Sequence, residues 1–81
     1  MKIRVLAFAG LAERLGWRER EITVADGACA GDALNALAAA HAPIAEARAS
    51  LALAVNEAYA PPSRRLAEGD TLALIPPVSG G

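Results

Sequence analysis

Between Ala30 and His41 the chain carries one apolar stripe at helical spacing, with Leu34, Leu37, Ala38 and His41 on the same side. The segments around it are cut to strand length by Gly, Pro, Asn and Asp. One long helix among several short strands has to lay its stripe on one face of a sheet, since both surfaces need a partner of matching extent. With 81 residues there is room for one such domain and no second.

The strands can be read by parity. Lys2 to Ala9 alternates, so Ile3, Val5 and Ala7 share one face while Arg4, Leu6 and Phe8 share the other. Arg4 marks the second face as the wetter one and predicts an exposed aromatic at Phe8. Leu11 to Leu15 is a short helical turn stopped by Gly16. Arg18 to Val24 reads as a second strand whose charges suit an edge or half-exposed position.

The main helix is expected to end before Pro43, and its start is weakly marked by Cys29, with Asp32 three residues on. Ile44 to Ser50 is ambiguous and open to helical continuation. Leu51 to Val55 is an apolar strand, Asn56-Glu57 a turn, and Ala58 to Ala60 a short return strand. Pro61-Pro62 breaks regular structure, and Glu68-Gly69-Asp70 turns the chain into a last strand, Thr71 to Ile75.

The order is β-β-α-β-β-β, an α+β chain with a mixed sheet and one main helix across it, of β-grasp type. Both terminal strands are apolar enough to be central. Parallel pairing of the first with the last would use the helix as its crossover.

Alanine-rich composition, with one Trp, one Tyr and one Phe, predicts thin layers packed closely and no internal small-molecule pocket. Eight basic and nine acidic residues give a net charge of −1 without a concentrated basic face, which argues against nucleic acid as a partner. No apolar stretch approaches membrane-spanning length. A single cysteine makes no internal disulfide and fits a reducing, cytoplasmic setting.

The chemistry is expected at the end of the chain. A globular part, 1–75, is followed by a tail, 76–81, that reads Pro76-Pro77-Val78-Ser79-Gly80-Gly81. Proline has no N–H for a ladder, so Pro76-Pro77 stops the last strand and favours extended geometry. Six residues at about 3.1–3.4 Å each would reach roughly 19–20 Å from the domain. Two glycines without side chains suit a narrow channel and accept whatever dihedrals it imposes. The free carboxylate of Gly81 is a poor electrophile until adenylated, and sulfur attack on the adenylate would leave a nucleophilic thiocarboxylate. A frayed terminus is the competing reading. The proline stem on a chain of β-grasp order sets this end apart from one.

These residues resemble a known family. Ile3-Arg4-Val5-Leu6-Ala7-Phe8-Ala9 leading to Leu15-Gly16, then Ala54-Val55-Asn56, Leu66, Glu68-Gly69-Asp70 and the Pro-Pro-Val-Ser-Gly-Gly ending look like the small subunits of molybdopterin synthase, which are ubiquitin-like sulfur carriers. The resemblance implies that an E1-like activating enzyme uses ATP to adenylate Gly81 and that a sulfur-donor protein supplies the sulfur. The thiocarboxylate would then enter the large synthase subunit and convert cyclic pyranopterin monophosphate to molybdopterin. It also implies a heterotetramer whose active site lies on the large subunit, and docking through Phe8, Tyr59 and Ile75. No cofactor or metal is expected on this chain. The alternatives are a carrier for thiazole, cysteine or tRNA thiolation, which the Pro-Pro-Val stem argues against, or a ubiquitin-like protein modifier.

Other residues read as structural. Cys29 is expected to be a small half-buried side chain, His41 a helix-end residue, and Trp17 a cover over the core. Glu57, Glu68 and Asp70 are expected to serve their turns by local hydrogen bonding.

Overall fold

The computed structural model describes residues 1–77. In chain order they form β1 (Lys2–Ala7), α1 (Ala9–Leu15), β2 (Glu19–Thr23), α2 (Ala30–Ala40), α3 (Ala42–Ala47), a 3-10 turn (Arg48–Ser50), β3 (Ala52–Val55), β4 (Ala58–Tyr59) and β5 (Thr71–Ile75). The five strands make one mixed sheet in the order β2-β1-β5-β3-β4. The parallel pair is β1 with β5, at the centre, and the other three pairs are antiparallel. This is the β-grasp arrangement that the alternation and the apolar terminal strands predict.

The core lies between one sheet face and α2. Ile3, Val5 and Ala7 of β1, Leu72 and Leu74 of β5, and Leu53 and Val55 of β3 meet Ala30, Ala33, Leu34 and Leu37 of α2. Ile44 of α3 is fully buried with them. Each large aliphatic side chain taken out of water there contributes about 1.5–3 kcal/mol. Ala38 and His41, the rest of the expected stripe, are only half-buried.

One open reading is settled and one changes. Helix α2 ends before Pro43 as expected, at Ala40. The segment after His41 is a separate short helix, because Pro43 falls in the first turn of α3, where its missing N–H is harmless. His41, at φ −135° and ψ 107°, is the extended joint between the two helices. The start of α2 is also better marked than Cys29 suggests. The Cys29 N–H donates to Asp32 Oδ2 at 3.0 Å, while the Cys29 side chain meets the Asp32 N–H in the reciprocal half of a capping box.

The loop after β4 completes that helix start. The Ala30 N–H donates to the Arg64 carbonyl and the Gly31 N–H to the Pro62 carbonyl, each at 2.8 Å. Glycine at 31 permits this close approach, since a Cβ there would lie 3.2 Å from both Cβ and O of Pro62 and would press the loop outward. The orphan amides of α2 are thus satisfied from within the chain. Trp17 covers one end of the core as expected, edge-on to His41 at 5.6 Å and with the Arg20 guanidinium 5.0 Å over its ring.

At the opposite end, Asn56 and Asp70 tie β3 to β5. Asn56 Oδ1 accepts from the Thr71 N–H at 2.9 Å, and its Nδ2 donates to Asp70 Oδ1 at 3.0 Å. Asp70 Oδ2 accepts from the Ala67 N–H at 2.8 Å. The Asn56 amide foremost, then the Ala67 N–H, hold the Asp70 carboxyl below its usual value. The Cys29 N–H does the same for Asp32.

A carboxyl lowered by folding stabilises the fold above its unfolded pKa of about 3.9, and that stability is lost as pH falls through the lower folded value. The thermal midpoint is therefore expected to fall steadily on acidification from about pH 5 to pH 2. Asp70→Asn should flatten that slope. An unchanged slope in the variant would remove Asp70 from the account.

Candidate docking face and tail

The sheet face turned away from α2 is assembled by register. β1 pairs Leu6 with Ala73 of β5, β5 pairs Ala73 with Ala54 of β3, and β3 pairs Ala54 with Tyr59 of β4. Leu6, Ala73, Ala54 and Tyr59 therefore form one row across four strands. Paired positions share a face, so the two alanines make a low floor between larger side chains.

Ala7 pairs with Leu74, which brings Phe8 and Ile75 level at the next step along the two parallel strands. The three residues singled out for docking thus meet on one surface. With Leu6, Ala54, Glu57, Thr71 and Ala73 they line a shallow depression of about 320 Å³. Phe8 is 45% and Tyr59 78% exposed, the two large apolar side chains most open to solvent among the described residues. Parity alone puts Leu6 and Ala73 beside Phe8 and Ile75, whereas Ala54, Tyr59 and Glu57 are placed by strand register, which the sequence does not print.

Phe8 breaks a local rule. It is the N-cap of α1, in extended geometry and without a side-chain hydrogen bond to the helix. Ser, Thr, Asp or Asn at that position would satisfy an orphan amide. The chain places an aromatic there instead, facing outward.

The remainder of this sheet face is charged and self-paired. Arg4 Nε lies 3.3 Å from Glu19 and Lys2 Nζ 3.8 Å from Glu21, across β1 and β2. Such exposed pairs contribute little to stability. They leave the apolar part bounded on one side by a neutralised strip.

Strand β5 ends at Ile75, beside the depression, and the chain continues through half-buried Pro76 and exposed Pro77. Val78, Ser79, Gly80 and Gly81, the rest of the expected reactive tail, lie outside the described residues. Among the described residues no group of three His, Cys, Asp or Glu is placed to hold a metal ion, and no helix is long and apolar enough to cross a membrane.

Comparison with known proteins agrees with this layout. The sequence profile of the ThiS family matches residues 5–81. A molybdopterin synthase sulfur carrier subunit from Chlamydomonas reinhardtii is 37% identical over the full length of both chains. Small archaeal modifier protein 1 from Haloferax volcanii is 41% identical, covering 91% of this chain and 94% of that protein. Its crystal structure superposes with a TM-score of 0.86 at 38% identity, over 100% of both chains. A chain from the complex of subunits 1 and 2 of molybdopterin-converting factor from Helicobacter pylori shares the fold, with a TM-score of 0.73 at 23% identity over 100% of both. With a profile match over nearly its whole length and relatives of this identity on the same β-grasp framework, the chain belongs to the ThiS family.

Proposed function

We propose that this chain is the sulfur carrier subunit of molybdopterin synthase and that its working atom is the terminal carboxylate of Gly81. An ATP-using, E1-like enzyme adenylates that carboxylate, and a sulfur-donor protein displaces AMP to leave a thiocarboxylate. The large subunit then receives the tail and transfers its sulfur to cyclic pyranopterin monophosphate. The observation that carries this reading is the Pro76-Pro77-Val78-Ser79-Gly80-Gly81 ending on a chain 37% identical, end to end, to a molybdopterin synthase sulfur carrier subunit.

The docking face supports it by position. The depression lined by Phe8, Tyr59 and Ile75 lies at the strand end from which the tail departs, so a partner seated there would have the terminus within reach of its own cavity. That partner is the large synthase subunit, the counterpart of subunit 2 in the Helicobacter pylori complex. ATP serves the activating enzyme, and this chain needs no cofactor of its own. The machinery is that of the cytoplasm, as a single free cysteine suits.

Incubation with the activating enzyme, ATP and a sulfur donor should raise the intact mass by the difference between sulfur and oxygen, with the change mapped to Gly81. A change mapped to Cys29 or Met1 instead is oxidation and defeats the proposal. The 41% identity to a small archaeal modifier favours one second reading, a ubiquitin-like protein modifier. An isopeptide between Gly81 and a lysine of another protein would establish it.

A further inference from the structure

The turn between β3 and β4 has two residues, Asn56 and Glu57, and both are left-handed, at φ 50° and φ 72°. A two-residue hairpin of this hand favours Asn followed by Gly, because glycine alone takes the second position without strain. Asn56 fits, and its side chain is engaged at both ends, donating to Asp70 and accepting from the first residue of β5. Glu57 does not fit. Ala9, beside Phe8, is the third non-glycine residue with positive φ among the described residues, so all three adjoin the docking face.

Glu57 also differs from the acids of the neighbouring turn. Glu68 accepts from the Lys2 N–H at 2.9 Å and Asp70 from the Ala67 N–H, as turn acids are expected to do. The Glu57 side chain has no hydrogen bond and no ion pair among the described residues, which corrects the expectation that it serves its turn. The residue instead lines the apolar depression with Phe8, Tyr59 and Ile75. Lys2 and Arg4, the basic residues of that sheet face, are engaged with Glu21 and Glu19. A strained backbone thus holds an uncompensated carboxylate at the edge of an apolar surface. Backbone strain of this kind persists where the side chain has work beyond the fold.

We infer that Glu57 is a specificity-determining residue of the docking face, selecting a partner that presents a Lys or Arg beside the apolar group it seats over Ala54 and Ala73. The inference rests on the proposed docking with the large synthase subunit and adds the charge which that subunit must offer. An apolar depression by itself accepts many apolar plugs. A single acid at its rim rejects those with an acid opposite and fixes the direction in which the rest are seated.

The test measures calorimetric affinity of the full-length chain for the large subunit at low and high salt, with thermal midpoints in parallel. Glu57→Lys should weaken binding by about tenfold at low salt, Glu57→Gln by less, and both differences should shrink as salt rises. Glu57→Gly should weaken binding as Gln does, yet raise the thermal midpoint by about 4 °C as the turn relaxes. Opposite movement of affinity and midpoint in that variant is what a purely structural residue does not give. Unchanged affinity in Glu57→Lys, with a wild-type chain that binds, overturns the inference alone. A joint fall of midpoint and affinity in every variant assigns Glu57 to the fold and also overturns it. A wild-type chain that does not bind the large subunit defeats the proposed function, and this inference with it.

Discussion

A chain ending at Gly80 is expected to transfer no sulfur while unfolding at the wild-type midpoint. The fold should be indifferent, because the buried residues of the described chain run from Ile3 to Leu74 and β5 ends at Ile75. The chemistry should not be. Shortening leaves a carboxylate, but one residue back, about 3.3 Å short of where the activating enzyme and the large subunit would meet it. Displacing a reacting atom by only 1 Å already costs about a hundredfold in rate. Adding residues beyond Gly81 should be equally severe, since it converts the acyl group to be activated into an ordinary peptide bond. Single-turnover sulfur transfer with activating enzyme, donor and large subunit makes the measurement. Full activity from an extended chain that has not been trimmed would end the tail mechanism.

Phe8→Ser should weaken association with the large subunit by about tenfold to a hundredfold, the range for an aromatic anchor near the middle of an interface. The same change should leave the thermal midpoint level or raise it. Phe8 belongs neither to the core cluster nor to the side chains packed against it, so the burial lost is on the outer sheet face, and serine offsets that loss by supplying the cap that α1 lacks. A variant at least as stable that binds worse would separate docking from folding at one position. A large drop in midpoint would instead make Phe8 a core residue and remove it from the docking account.

The framework was legible because the pattern and the physics that uses it are both local. Alternation at Ile3, Val5 and Ala7 gave the buried face of β1, and the apolar run at Leu72 and Leu74 marked β5 as central. Gly16 predicted a helix stop and takes a left-handed conformation there. Other features depended on what a residue meets. Pro43 reads equally as the end of one helix or the first turn of the next, and His41 decides it by turning extended. Cys29 looked like a poor cap because sulfur is a weak acceptor, yet its own N–H reaches Asp32. Tyr59 joined Phe8 and Ile75 only through the pairing of β4 with β3. Glu57 looked like Glu68 in sequence, and only the hydrogen bonds separate them. The chemistry proposed for Gly81 rests on the residue types of the tail and on the β-grasp order of the chain that carries it.

The central place of β5 has a mechanical consequence. The strand that leads into the tail is flanked on both sides by neighbours, β1 parallel and β3 antiparallel. A tug on the terminus loads those two ladders in shear, along the strands, so their bonds resist together instead of opening one after another. A tail leaving from edge strand β4 would peel its strand away when a partner gripped it. Leaving from the centre of the sheet, the chain can bear a pull along β5 while the body of the domain stays intact.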